Sequence, residues 1–154
     1  MPALTALLHT HNDALRLGRA LETLYACDHI VIVDHNSHDA TVQLARQYGA
    51  RVVPAQAHLS LTDHITTGYI LCLAPNESVS ENLATSLLQL KQNATQPQTY
   101  SLSLREETAQ RWIDHLAPQT RIVPDAWPQW IGNLPANDPA SIALEGELLR
   151  FAFP

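Results

Sequence analysis

The chain has 154 residues, of which 45% are hydrophobic and 16% charged, with a formal net charge of −6. This is the composition of one globular domain with a single substantial core, not of a disordered chain. The acidic balance, with no Lys/Arg run to offset it, argues against a phosphate-binding surface for nucleic acid.

The first 92 residues alternate strand and helix. Residues 3–8 form a short apolar run, and Asn12 or Asp13 can cap a helix with Ala14, Leu17, Leu21 and Leu24 on one face. Residues 30–33 are β-branched and apolar throughout, as expected of a parallel strand buried on both faces. Ser37 or Asp39 can cap a helix over 41–48, which Gly49 stops. A short strand at 51–53, a helix at 60–67 and a strand at 69–73 follow. Ser80 then caps a helix from about 81 to 91, with Leu83, Leu87, Leu88 and Leu90 as its apolar stripe. Strands joined by single helices require right-handed parallel crossovers, so a mostly parallel, doubly wound α/β sheet with flanking helices is expected.

Beyond residue 92 the texture changes. Residues 92–98 are a polar linker, 100–104 alternate like an edge strand, and prolines recur at 118, 124, 128, 135 and 139. The expected organisation is a single domain: an α/β ligand-binding half over 1–92 and a reduced acceptor-side region over 93–154 folded back on the sheet.

Ligands of open α/β sheets sit beyond the carboxyl ends of the strands. Polar clusters occupy that position after the first strand (residues 9–13), after the second (34–39) and after the fourth (Asn76-Glu77). Asp13 and Asp34 can accept from a base N–H or a ribose hydroxyl, and main-chain groups around Thr10 and Asn12 can frame a ring. The plain alternative is that Asn12, Asp13, Ser37 and Asp39 are helix caps and turn residues.

These clusters resemble the nucleotide-sugar half of family 2 glycosyltransferases. In that family the first strand ends in Pro-x-Tyr/His-Asn-Glu and the second in Asp-Asp-x-Ser-x-Asp-x-Thr. Here Asn12-Asp13 stand at the first site, and Asp34, Ser37, Asp39 and Thr41 match the second, with His35 in place of its second Asp. The likeness covers residues 4–82 and extends weakly to Gln119-Thr120-Arg121-Ile122-Val123-Pro124 and Trp130-Ile131-Gly132-Asn133. It implies the A-type glycosyltransferase fold and sugar transfer from a nucleoside-diphosphate donor with Mg²⁺ or Mn²⁺. By the same likeness, Thr10, Asn12, Asp13, Asp34 and Ser37 are the nucleotide-binding residues. The family's metal-binding Asp-x-Asp falls on Leu73-Ala74-Pro75-Asn76-Glu77, where both aspartates are missing. Asn76 and Glu77 are the metal candidates left, and Asp63-His64 stands where the family has an Arg-Asn facing the donor. Asp138, Glu145 and Glu147 are carboxylates available as an acceptor base, with no motif selecting one.

The expected function is therefore binding of a nucleotide or nucleotide sugar. One alternative is an active transferase using a relocated carboxylate such as Glu77. Another is an interaction protein that binds no nucleotide, or a metal site built from His9, His11, His35 and His38. Trp112, Trp127 and Trp130 can stack on sugars or pack in the core. Cys27 and Cys72 read as free buried thiols. Trp127, Trp130, Phe151 and Phe153 suggest a homodimer surface. There is no basic segment followed by an apolar core and no apolar run near the ~20 residues of a membrane span, so a cytoplasmic, soluble chain is expected.

Overall fold

The structure is a computed structural model and describes residues 2–56, 68–94 and 96–154. The expected helix at 60–67 and the Asp63-His64 pair lie outside the described residues. In chain order the elements are β1 (Leu4–Thr10), α1 (Ala14–Glu22), β2 (His29–Asp34), α2 (Thr41–Gln47), β3 (Arg51–Pro54), β4 (Tyr69–Cys72), β5 (Glu77–Val79) and α3 (Glu81–Asn93). The tail adds β6 (Tyr100–Glu107), β7 (Trp112–Asp114), β8 (Gln119–Pro124), β9 (Trp130–Ile131), β10 (Leu134–Pro135) and β11 (Ile142–Arg150).

The main sheet runs β3-β2-β1-β4-β8-β6-β11-β5, with β7 branching from β6. The first four strands are mutually parallel, the doubly wound half that the strand–helix alternation requires. The tail strands join the same sheet. β8 pairs antiparallel with both β4 and β6, and β11 pairs parallel with β6 and antiparallel with β5. Although β5 follows β4 in sequence, it lies at the far end of the sheet, so the sheet curls back toward its own middle. Residues 73–76 bridge that curl. The segment expected as an edge strand at 100–104 lies inside β6, between β8 and β11. Its polar alternation comes from Ser101 and Ser103, not from an open edge.

Both faces of the parallel half are buried, which explains why β1 and β2 are apolar without alternation. On one face Leu4, Ala6, Leu8, Ile32 and Leu71 meet Leu17 and Leu21 of α1 and Leu83 and Leu87 of α3. Leu88 is 44% exposed, so the stripe on α3 is narrower than its leucines suggest. Ser80 caps α3 as expected, its Oγ accepting from Leu83 N–H at 3.1 Å. On the other face Leu7, Val31, Val33, Ile70 and Val123 pack under Trp127, Trp130 and Leu134. Among the described residues no helix is long and apolar enough to cross a membrane.

Candidate functional site

Parallel pairing of β1 with β2 sets Thr10 beside Asp34 at the carboxyl ends of both strands. The Thr10 hydroxyl donates to Asp34 Oδ1 at 2.7 Å. Asn36 then turns the chain through a left-handed conformation at φ 57°. That turn carries Ser37 back over Asp34, where its hydroxyl donates to Oδ1 at 2.6 Å and its N–H to Oδ2 at 3.0 Å. Burial pushes the Asp34 carboxyl up, but these Ser37 and Thr10 bonds outweigh it and hold the group below the ordinary carboxylate range. Asp34 is therefore an anion with three donors in place.

The loop after β1 is tied to the loop after β2. Asn12, at φ 53°, donates its N–H to Ser37 Oγ at 2.9 Å, and its side-chain oxygen accepts from His38 N–H at 2.8 Å. Asp13 N–H donates to Thr41 Oγ1 at 2.8 Å, while its carboxylate accepts from His11 N–H at 2.8 Å. The Thr41 hydroxyl donates to Asp39, whose other oxygen accepts from Ala14 N–H at 3.2 Å. Thr10, Asn12, Asp13, Asp34 and Ser37 thus converge in one hydrogen-bonded group. Helix capping holds only in part: Asp13 takes the N-cap position of α1 without a side-chain cap bond. The shared pattern of Asp34, Ser37, Asp39 and Thr41 is the stitching of two strand ends.

The four histidines that gave the alternative of a metal site make other contacts. His9 Nδ1 and His35 Nε2 lie 2.8 Å apart, a direct hydrogen bond between rings. His11 Nδ1 meets the carbonyl of His35 at 2.6 Å. Burial, and then the neighbouring His35, lowers His9 to about 4, so its ring is neutral near pH 7. Its Nε2 is buried without a hydrogen-bond partner among the described residues. Among the described residues no group of three metal-ligating side chains comes together.

Residues 73–77, expected from the resemblance to be the metal-binding stretch, end in a buried ion-pair cluster. Glu77 is 0% exposed and Arg121 is 2% exposed. Arg121 Nη1 donates to Glu77 Oε1 at 2.8 Å and Nη2 to Oε2 at 3.0 Å. Arg150 adds two donors to Oε2 at 3.1 and 3.2 Å, and Ala74 N–H donates to Oε1 at 2.7 Å. Burial raises the Glu77 carboxyl, but the bonds and charge of Arg121, with Ala74 and Arg150, outweigh it and lower the group on balance. Asn76 is held by the tail: its carbonyl accepts from Phe151 N–H at 2.9 Å and its amide reaches the Phe151 carbonyl at 3.5 Å. A divalent cation here would meet two guanidinium groups, a saturated carboxylate, one amide and Ala74. The residues present do not fit Mg²⁺ or Mn²⁺. Glu77, a metal candidate by sequence, is instead the acceptor of a buried ion-pair cluster.

Solved structures place this arrangement among known folds. Mannosyl-3-phosphoglycerate synthase from Rubrobacter xylanophilus superposes with a TM-score of 0.54 at 19% identity, covering 68% of this chain and 41% of that one. The fold is that of the nucleotide-diphospho-sugar transferases. S. aureus TarS 1-349 in complex with UDP matches the same A-type scaffold with a TM-score of 0.53 at 14% identity, covering 80% of this chain and 47% of that one. The chain therefore spans less than half the length of either structure. No protein-family model and no curated protein sequence matches it.

The tryptophans fall to packing. Trp127 and Trp130 cover the second core face, and the Trp112 ring stands edge-on to Phe151 with centroids 5.2 Å apart. Of the four residues read as a dimer surface, Trp127, Trp130 and Phe151 are half-buried in their own chain and Phe153 is exposed. Cys27 and Cys72 are free, and burial pushes both thiols up to about 12.

Proposed function

We propose that this chain is a nucleotide- or nucleotide-sugar-binding domain on the A-type transferase scaffold, working without the Asp-x-Asp metal. One observation carries the reading: Asp34 stands ionised at the carboxyl end of β2, with Oδ2 accepting only the Ser37 N–H among the described residues. An anionic acceptor with lone-pair capacity at the carboxyl ends of the strands suits a base N–H or a ribose hydroxyl. TarS, on the same scaffold, is solved in complex with UDP, which makes uridine nucleotides the first ligands to test.

Sugar transfer by a relocated carboxylate is not favoured. Glu77 would have to leave Arg121 and Arg150 to take up a metal, and it would leave Arg121 without an ion pair in the interior and Arg150 with Glu106 alone. Without a metal, charge developing on a diphosphate leaving group lacks its usual Lewis acid.

Calorimetric titration with UDP, GDP and their sugars, with and without Mn²⁺, tests this. Metal-independent binding that Asp34→Ala abolishes is expected. Binding strengthened tenfold or more by Mn²⁺ would restore the transferase reading. Binding of none of these nucleotides would overturn the proposal.

A further inference from the structure

His35 stands between Asp34 and the Asn36–Ser37 turn, and it is held at three points. Its backbone N–H donates to the Thr10 carbonyl at 2.8 Å. Its ring meets His9 at 2.8 Å, and its carbonyl meets His11 Nδ1 at 2.6 Å. From His11 the contacts continue: its Nε2 lies 3.3 Å from the Asn12 side-chain nitrogen, and the Asn12 side-chain oxygen accepts from His38 N–H. Asn12 N–H donates to Ser37 Oγ, which itself donates to Asp34 Oδ1. The histidines thus close a circuit around the carboxylate.

Donors and acceptors in this circuit have one consistent direction. A carbonyl only accepts, so His11 Nδ1 carries a hydrogen. His38 N–H fixes which end of the Asn12 side chain is oxygen, so its nitrogen is a donor toward His11. His11 Nε2 must then present a lone pair, which it has only while the ring is neutral. A second proton would set N–H against NH₂ and break the joint between His11 and Asn12. The His9–His35 joint is more tolerant. With one added proton, on His35, the two rings still meet as an N–H and a lone pair. Burial and then His35 hold His9 down to about 4, so that joint outlasts mild acid. His11, exposed at the rim, is the joint that yields first.

We propose that His11 is a positioning residue that keeps the Asp34 site assembled only while its ring is neutral, so that nucleotide affinity falls on acidification. This control rests on the nucleotide reading of Asp34 and acts on the same site. Protonated His11 gives up Asn12, the residue that ties the loop after β1 to Ser37 and His38. Loss of one such bond corresponds to about a three- to tenfold loss of affinity. Among the described residues, the charged and titratable groups around His11 come from three places. They are His9 of β1, Asp13 and Arg16 at the start of α1, and Asp34, His35, His38 and Asp39 after β2. The Asp13 carboxylate accepts the His11 N–H at 2.8 Å and pairs with Arg16 at 3.4 Å, so its attraction for an imidazolium is shared. Asp34, held low by its own donors, stays an anion in mild acid.

Calorimetric titration with UDP-glucose between about pH 7.5 and 5, the span in which histidines titrate, tests this. Its base and diphosphate keep their charge there, so a change in affinity belongs to the protein. The native chain should lose affinity about three- to tenfold toward the acid end. His11→Gln, which offers one donor and one acceptor without a titrating ring, should match the native chain at the upper pH and stay flat. His11→Phe, which offers neither, should bind weakly at every pH. In ¹⁵N–¹H spectra of the ligand-free chains, the Asn12 side-chain amide should shift with pH in the native protein and hold still in His11→Gln. The same spectra report whether each variant is folded. Affinity that is constant or rises toward pH 5 would overturn the proposal, as would a His11→Gln profile that follows the native one. If UDP-glucose binds at no pH while the Asn12 amide still follows His11, the nucleotide reading alone fails and the proton-sensitive joint stands.

Discussion

Arg121 grips both carboxylate oxygens of Glu77, at 2.8 and 3.0 Å, across the interior of the curled sheet. The two residues come from strands that are not neighbours, β8 and β5. Their pairing braces the turn at 73–76, where Ala74 N–H donates to Glu77 Oε1 and Arg121 Nη1 to the Cys72 carbonyl. A buried ion pair contributes little net stability, but breaking it strands a charge, at a cost of about 3–5 kcal/mol. Arg121→Met alone leaves Glu77 with Arg150 and Ala74 N–H, so it should lower the unfolding free energy by less than that, about 1–3 kcal/mol. The double variant Glu77→Leu/Arg121→Met should recover most of the loss, although Arg150 is then left with Glu106 alone among its partners. Urea unfolding of the three chains measures this, and equal losses in the single and double variants would contradict it. The folded Glu77 carboxyl lies below its ordinary 4.5. Its contribution is therefore complete above pH 4.5 and is lost as pH falls through the lower folded value.

How much of this was legible in the sequence depends on the range of each interaction. Ser80 and Leu83 are three residues apart, so the cap on α3 could be read directly. Thr10 and Asp34 end two β-branched or apolar runs, and parallel pairing places such ends together. The Glu77–Arg121 pair spans 44 positions and needs the whole curl of the sheet, which no local pattern encodes. Trp127 and Trp130 left stacking on a sugar and packing both open, because nothing local revealed that the second face of the sheet needed a cover.

His9 sets a second pH dependence. Folded His9 lies near 4, below its ordinary 6.5, because burial and then the adjoining His35 ring disfavour the cation. Below pH 6.5 the unfolded chain takes up a proton at this site that the folded chain refuses. Stability should therefore fall as pH drops from 6.5 toward 4 and show no contribution from His9 above 6.5. Replacing His9 by Phe should flatten this limb, since no proton is then taken up on unfolding. Urea midpoints across that range, wild type against His9→Phe, decide the matter; parallel curves would assign the limb to other groups.

Asn36 holds the turn that brings Ser37 onto Asp34. Its φ of 57° is open to Gly, tolerated by Asn and costly for other residues. Asn36→Ala should destabilise by about 1–2 kcal/mol through backbone strain. Asn36→Gly should cost less, because it relieves that strain while loosening the unfolded chain. Nucleotide titration should show a larger affinity loss for Ala than for Gly, since the strained turn displaces Ser37 from the carboxylate. Equal behaviour of the two variants would mean that the turn does not position Asp34.

Gly146 makes the strongest steric prediction. It sits in the irregular stretch of β11 between Ala143 and Glu147, at φ 98°. A Cβ there would lie 2.2 Å from the backbone N and 2.5 Å from the Cα of Leu83, in the first turn of α3. Neither atom belongs to a side chain that can rotate away. The same turn is locked to β11 by Ser80, whose Oγ accepts from Glu147 N–H at 3.1 Å, so the helix cannot retreat without breaking its own cap. Gly146→Ala should then carry both the left-handed penalty of about 1–2 kcal/mol and an overpacking cost of about 1–3 kcal/mol. Gly132, at φ 61° with open space around it, should show the first cost alone. Urea unfolding of the two alanine variants separates the terms, and equal losses would show that α3 yields freely. If Gly146→Ala does fold, α3 has moved, and β5 with Glu77 precedes it by one residue. The Arg121 pair should then loosen as well, and combining Gly146→Ala with Arg121→Met should cost less than the sum of the two.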